Sequence, residues 1–220
     1  MKTKIMITAL LSALLINAAS AEPSAMAGHV STKYTSDYHR RGQELSAEAI
    51  QAQVGFNVGV GNVDVFGDFF TNQGTDNDID TNELTIGVGT GLFDDNLNAY
   101  LGVYNTDTTG SSDDLEAFAS LQLNTLLEPT VSLYRDTDDN LYTFEGKVSH
   151  TFDLQIVDLG LSGTLGNTES TAAVDSTYTG ARATLSKTFD SLNVYTDLAM
   201  SDDDTRDNET IWGIGLSLNF

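Results

Sequence analysis

The chain has 220 residues, no cysteine, and 32 acidic against 10 basic residues, giving a formal net charge of −22. Without cysteine, no disulfide framework can hold a small fold together, and so acidic a surface repels the phosphates of nucleic acid. The apolar residues are too plentiful and too regularly spaced for a disordered chain. We therefore expect one folded domain and no nucleic acid among its partners.

The N-terminus has the three regions of a secretory signal peptide. Two lysines near the start supply positive charge, an apolar run follows over 5–16, and Ala19 and Ala21 have the A-x-A spacing of a cleavage site. The apolar run is too short for a membrane anchor, which needs about 20 residues. We predict a signal peptide over 1–21, cleaved before Glu22.

After this leader, apolar residues recur at every second position, which is the period of a β-strand with two different faces. Every even-numbered residue from Ile50 to Val60 is apolar, and so is every even-numbered residue from Trp212 to Phe220. We predict twelve strands, with ten or fourteen as alternatives. The twelve are 29–38, 48–60, 63–71, 83–92, 96–105, 115–126, 130–136, 141–150, 154–166, 177–188, 191–200 and 209–220.

The predicted connections alternate in length along the chain. The short ones are Gly61–Asn62, Phe93–Asp95, Leu127–Pro129, one around Asp153 and one at Asp190. The longer, polar ones are 39–47, 72–82, 106–114, 137–140, 167–176 and 201–208. Short turns on one side and long loops on the other are typical of outer-membrane barrels, with the turns in the periplasm.

These patterns predict an all-β fold: a transmembrane, antiparallel, up-and-down β-barrel over 29–220, preceded by a short periplasmic segment over 22–28. A soluble lipocalin-like barrel is the alternative, but it would place its apolar side chains inside. Six aromatic residues near strand ends are predicted to form interfacial girdles facing lipid. They are Tyr38, Phe70, Phe93, Phe152, Phe189 and Trp212.

The chain ends in an alternating strand that closes with Phe220. This ending resembles the C-terminal signature by which outer-membrane barrels are recognised for assembly. It predicts Phe220 as an assembly signal and the barrel assembly machinery as a partner, together with outer-membrane lipid and lipopolysaccharide.

Two segments resemble the opening hairpin of the TorF-like porin family of proteobacteria: S-D-Y-H-R-R-G over 36–42 and A-I-Q-A-Q-V-G-F over 49–56. Segments 82–89 and 178–189 are similar to later strands of that family. Where the family usually has proline before the second strand's alanine, this chain has Glu48. The resemblance implies a porin-like outer-membrane barrel and no particular substrate.

The sequence does not predict an enzyme or a cofactor. Ser149 and His150 are adjacent, so on a strand they point to opposite faces and cannot act as nucleophile and base. A lipid-modifying enzyme is therefore the weakest of the function classes considered.

Acidic loops offer weak candidates for a Ca²⁺ or Mg²⁺ site: Asp76, Asp78 and Asp80 in one loop, and Asp136 and Asp138 in another. Hard cations bind several carboxylate oxygens, but the glycine and glutamate of an EF-hand are missing. Hydrated acidic loops are the favoured interpretation, with at most weak screening by divalent ions. Arg40 and Arg41 could bind anions of lipopolysaccharide, but we favour pairing with carboxylates.

The strand phases place charged residues in the lumen, where acids outnumber bases. The predicted lumen and selectivity residues are Asp37, Asp64, Asp68, Glu83, Glu116, Glu145, Lys147, Asp158, Arg182 and Asp197. Rings of carboxylates favour cations. We therefore expect passive diffusion of small, preferably cationic or neutral solutes. The alternative function is a structural or surface-interaction barrel with a plugged lumen and acidic loops.

Overall fold

The computed structural model describes residues 23–41, 43–75, 79–111, 113–137, 141–169, 175–204 and 206–220. They form twelve β-strands, which confirms the predicted number. The strands are β1 (Pro23–Arg40), β2 (Gln43–Val60), β3 (Val63–Gly74), β4 (Asp80–Leu92), β5 (Leu97–Thr108), β6 (Asp114–Leu123), β7 (Thr130–Asp136), β8 (Tyr142–Asp153), β9 (Asp158–Glu169), β10 (Ser176–Phe189), β11 (Leu192–Asp203) and β12 (Arg206–Asn219).

The strands form a closed barrel in which each pairs antiparallel with its neighbours in the chain and β1 pairs with β12. This closing register runs from His29 opposite Asn219 to Thr35 opposite Gly213. Just beyond it, the Phe220 amide donates to the Gly28 carbonyl at 2.9 Å, and the Gly28 amide donates back at 2.7 Å. The predicted antiparallel barrel is confirmed.

The barrel presents apolar side chains outward and polar side chains to the lumen. On β12, the side chains of Trp212, Ile214 and Leu216 are 49%, 56% and 45% exposed. On the lumen side, the buried Gln51 amide donates to Asn72 at 3.0 Å. A lipocalin-like barrel does not fit this pattern, because its apolar side chains would line the interior. The pattern is that of a barrel whose outer face contacts lipid.

Four of the aromatic residues predicted for the girdles are exposed on the outside: Phe93, Phe152, Phe189 and Trp212. The prediction is wrong for Tyr38 and Phe70. Their rings pack together inside the barrel with centroids 5.4 Å apart, and the Tyr38 hydroxyl donates to Glu83 in the lumen.

The connections at one end of the barrel, here called the turn end, fall close to the predicted positions. Positive φ angles make these turns tight: Gly61 has φ 65° and Asp190 has φ 54°. Three boundaries at these turns differ from the prediction by three residues or more, since β6 ends at Leu123, β8 ends at Asp153 and β9 begins only at Asp158. Residues 154–157 form the intervening turn, in which Gln155 has φ 71°.

At the opposite end, here called the loop end, most strands extend into the predicted loops. β3 continues to Gly74 and β4 begins at Asp80, so 75–79 replaces the predicted loop 72–82. Extension keeps backbone amides and carbonyls paired, which explains why the strands do not stop where the alternation stops. The two ends therefore differ less in connection length than predicted.

β1 begins at Pro23, within the segment predicted to precede the barrel. The predicted signal peptide lies outside the described residues. Within the described residues, no helix is long and apolar enough to cross a membrane.

Candidate channel constriction

The first hairpin leaves the barrel wall and bends into its mouth. β1 pairs with β12 only as far as Thr35, and β2 pairs with β3 only from Ala49 onward. β1 and β2 nevertheless stay paired with each other out to Arg40 opposite Gln43.

Contact with the wall ends at Ser36, whose hydroxyl accepts from the Trp212 amide, and at Glu48, whose carbonyl accepts from the Thr75 amide. We call residues 37–41 and 43–47 the inner hairpin. The prediction that 39–47 is a loop outside the barrel is therefore wrong.

The tip of the inner hairpin reaches the opposite wall. Arg41 donates from Nη1 to Glu116 Oε1 at 2.6 Å and from Nη2 to Glu116 Oε2 at 2.5 Å. Its guanidinium also lies over the Tyr134 ring, 4.1 Å from the centroid. Tyr134 belongs to β7, which is directly opposite β1 in a ring of twelve strands. The hairpin thus spans the barrel near its loop end.

Arg40 strengthens this attachment. Its guanidinium lies 4.6 Å from the Tyr104 ring centroid, and its Nη2 lies 3.3 Å from Glu116 Oε2, an ion pair without a hydrogen bond. Burial alone would lower the pKa of Arg41, but the hydrogen bonds and charge of Glu116 raise it above the ordinary arginine value. The favoured interpretation of both arginines, pairing with a carboxylate, is confirmed.

The two sides of the hairpin are attached as well. The Tyr38 hydroxyl donates to Glu83 Oε1 at 2.6 Å, and His39 Nε2 lies 2.6 Å from Glu209 Oε2 on β12. Ser46 is buried and accepts a hydrogen bond from Asn72 at 2.8 Å. These contacts hold the hairpin to β3, β4 and β12, so it is fixed at its base as well as its tip.

A second charged cluster lies deeper in the lumen, around Asp197 on β11. Lys33 Nζ lies 3.0 Å from both oxygens of this buried carboxylate, and Arg182 Nε lies 3.7 Å from Oδ2.

Glu83, Glu116 and Asp197 are the predicted lumen acids that are buried. Glu116 and Asp197 are ion-paired, whereas Glu83 accepts from the neutral Tyr38 hydroxyl and keeps its charge. Because Arg40 and Arg41 of the inner hairpin are not among the predicted lumen residues, a count of those residues overstates the negative charge that a passing solute meets.

The other predicted lumen residues are less buried. Asp68 accepts two hydrogen bonds from Gln53 Nε2, at 3.0 and 2.9 Å, and Glu145 accepts one from the Tyr178 hydroxyl at 2.7 Å. Asp37 and Lys147 line the largest lumen cavity. The remaining two are near the turn end: Asp64 on β3 and Asp158 on β9.

The weak metal candidates are not brought together. Asp80 is exposed at the start of β4, whereas Asp136 is buried on β7 opposite Glu116. Asp76, Asp78 and Asp138 lie outside the described residues. In the part of the chain that the structure describes, no three acidic or histidine side chains are grouped as metal ligands.

Ser149 and His150 do not form a catalytic pair. The His150 ring packs edge-on against Phe152 with centroids 4.4 Å apart, whereas Ser149 Oγ lies 3.5 Å from Glu128 Oε2. The two side chains therefore have different neighbours, as their adjacent positions on a strand require.

Polar cavities flank the inner hairpin. The largest measures about 340 Å³ and extends from Tyr38, His39 and Arg41 on the hairpin to Lys147 on β8 and Arg182 on β10. A second cavity of about 240 Å³ shares Lys33 and Arg182 with the first and extends to Gln53 and Tyr195. A third, of about 230 Å³, lies on the other side, next to Arg40 and Glu116.

Lumen aromatic rings lie flat against glycines of the neighbouring strand. A Cβ on Gly166 would sit 2.1 Å from Tyr178 Cζ, and one on Gly215 would sit 2.4 Å from Tyr195 Cζ. Phe66 lies over Gly87 and Phe118 over Gly102 in the same way. The glycines let these rings cover the wall without projecting into the lumen.

No protein-family model matches the chain, and no curated protein sequence matches it. The resemblance to the TorF-like family therefore stays a prediction.

Solved structures do share the fold. A "KdgM porin" aligns with a TM-score of 0.60 at 12% identity, covering 87% of this chain and 99% of that one. A "NanC porin" aligns with a TM-score of 0.56 at 14% identity, covering 87% and 98%. The "COG4313 outer membrane channel from Pseudomonas putida F1" aligns with a TM-score of 0.53 at 13% identity, covering 89% and 95%.

Proposed function

We propose that this protein is a porin-like channel of the outer membrane of a Gram-negative bacterium. It is exported by its signal peptide and inserted by the barrel assembly machinery, and lipid and lipopolysaccharide surround it. The outward apolar face of its closed barrel supports this location. The fold shared with porins and an outer-membrane channel is consistent with it.

The observation that carries the channel proposal is the pair of adjoining polar cavities beside the inner hairpin. They share Lys33 and Arg182 and together extend from the hairpin tip to Gln53 and Tyr195 in the middle of the barrel. A polar passage along one wall serves small hydrophilic solutes, while the hairpin limits their size.

The preferred solutes are small and cationic or neutral. Exposed carboxylates such as Asp80 and Asp107 surround the loop end, and a low-dielectric wall focuses their field at the mouth. Salt screens such charges over about 8 Å at physiological strength, so the preference weakens as salt rises. The ion pairing of Glu116 and Asp197 in the lumen gives the loops a larger share of this preference.

A plugged structural barrel is the second candidate, and the hairpin crossing the mouth favours it. In that case the cavities are closed pockets and the acidic loops are the functional surface. The two candidates differ in one property, the passage of ions through folded protein.

The reversal potential across a KCl gradient tests the proposal. We expect cation preference at low salt that declines at high salt, and a smaller preference after Asp80→Asn and Asp107→Asn together. Asp190→Asn, at the turn end, is the control and changes the preference less. Anion preference or no preference at low salt would overturn the proposed selectivity.

A further inference from the structure

The wall formed by β9 and β10 has unusually small lumen side chains. Gly160, Ser162 and Thr164 on β9 face the lumen next to Gly180 and Thr184 on β10, where the alternation and the pairing place them. A Cβ on Gly180 would have no atom closer than 3.8 Å. Unlike the glycines covered by aromatic rings, this part of the wall is open.

Two positively charged side chains lie on or beside this open wall. Lys147 on β8 and Arg182 on β10 are both exposed, and both line the largest cavity. Arg182 is 53% exposed although it lies near Asp197, which is already bonded to Lys33. Lys147 makes no ion pair with any described residue. The Lys147 ammonium and the Arg182 guanidinium can therefore each bind a further anionic group.

Two carboxylates face the same cavity closer to the hairpin. Glu145 lies two residues before Lys147 on β8, so both side chains face the lumen about 7 Å apart along the strand. Its Oε2 accepts from Tyr178, and its other oxygen has no partner among the described residues. Asp37, on the inner hairpin, lines the cavity with it.

We propose that the cavity is a binding station for small zwitterions, with the solute carboxylate at Arg182 and Lys147 and its ammonium at Glu145 and Asp37. This inference rests on the proposed channel and names the neutral solutes that the channel favours. The cavity, about 340 Å³, has room for an amino acid with its water. A simple anion meets the acidic loop end first, and a simple cation leaves Lys147 and Arg182 without the further anion that they can bind.

The charge order along the passage is what selects the zwitterion. Along β8, a solute entering from the loop end passes Glu145 before Lys147, so each of its charges has a partner at a different depth. Binding must be weak enough for the solute to leave. Exposed ion pairs have this strength, since each changes an equilibrium by about two- to fivefold.

The test compares two isomers of equal mass, alanine, which is zwitterionic, and lactamide, which is uncharged. Swelling rates of liposomes carrying the full-length mature protein are measured with each solute. We expect alanine to enter about two- to fivefold faster than lactamide. The double variant Lys147→Gln with Arg182→Gln should reduce this ratio to about one.

The control is Lys187→Gln, because Lys187 lies outside the lumen, 5.5 Å from the Phe189 ring centroid. It should keep the wild-type ratio. Equal entry of the two isomers through the wild-type channel, or a ratio that persists in the double variant, would overturn the inference and leave the channel standing. If neither isomer enters, the proposed channel fails and the inference fails with it.

Discussion

Arg41 and Glu116 are bonded across the mouth of the barrel, although β1 and β6 are five strands apart. Both side chains are mostly buried, with exposures of 18% and 9%. A bidentate arginine–carboxylate pair fixes orientation as well as distance. The position of the inner hairpin therefore depends on this pair more than on any single neighbouring contact.

Replacing Arg41 with alanine should release the tip of the inner hairpin. The change leaves Glu116 as a buried carboxylate that has lost its bidentate partner, and breaking a buried pair costs about 3–5 kcal/mol. The hairpin then has a weaker hold on the opposite wall. We expect a larger single-channel conductance with more frequent fluctuations, measured in planar bilayers.

The charge-swapped double variant, Arg41→Glu with Glu116→Arg, restores an ion pair in the reverse direction. It should return the conductance toward the wild-type value, and Lys187→Gln should leave it unchanged. A conductance that does not respond to Arg41→Ala would show that the hairpin does not limit the passage.

Replacing Gly166 with alanine should narrow the lumen. The new Cβ would lie 2.1 Å from Tyr178 Cζ, so the ring must move inward and its hydrogen bond to Glu145 is disturbed. Overpacking of this kind costs about 1–3 kcal/mol. We expect a lower conductance and a lower temperature of barrel unfolding, read from gel mobility after stepwise heating.

The matched control is Gly180→Ala, another lumen glycine, whose Cβ would meet nothing closer than 3.8 Å. It should behave like the wild type in both measurements. Equal behaviour of the two alanine variants would contradict the role assigned to the glycine beneath Tyr178.

Barrel closure should depend on Phe220. Its backbone pairs with Gly28, and a Cβ on Gly28 would lie 2.6 Å from Phe220 Cε2, so the ring covers that glycine. Deleting Phe220, or replacing it with aspartate, should reduce the folded protein in outer-membrane fractions, because the last strand must close against the first. Phe93→Ser, in an exposed turn, is the control, and unchanged levels of the Phe220 variants would refute the assignment.

The proposed orientation of the barrel, with the loop end outside the cell, predicts where a protease added to intact cells can cut the chain. Cleavage should occur between the strands at the loop end, in 75–79, 109–113 or 204–205, and not at 93–95 or 127–129, at the turn end. Mass spectrometry of the fragments identifies the sites. Cuts confined to the turn end would reverse the proposed orientation.

The strand pattern could be predicted because the environment imposes it. A wall with lipid on one side and water on the other requires alternation, and Trp212, Ile214 and Leu216 show it in the sequence and in their exposure alike. The strand ends could not be predicted as well, because backbone pairing continues after the side-chain alternation has stopped, as at Gly74.

The inward bend of the first hairpin could not be predicted from the alternation. Alternation assigns each residue to a face of the wall, and residues 37–41 and 43–47 leave the wall. A signal was present in Tyr38, His39, Arg40 and Arg41, since two aromatic rings beside two guanidinium groups suit neither lipid nor an open loop. The partner of these arginines, Glu116, lies 75 residues after Arg41 in the sequence. Only the closed barrel brings the two together, so the sequence alone does not identify the pair.

Single-channel recording of the purified, folded protein in a planar lipid bilayer tests the central claim most directly. The proposed channel predicts stable, repeated steps of one unit conductance, because two adjoining polar cavities beside the inner hairpin offer ions a path past it. Heat-dependent gel mobility of the same sample establishes that the barrel is folded. Folded protein that inserts and gives no conductance steps would contradict the channel and favour the plugged barrel.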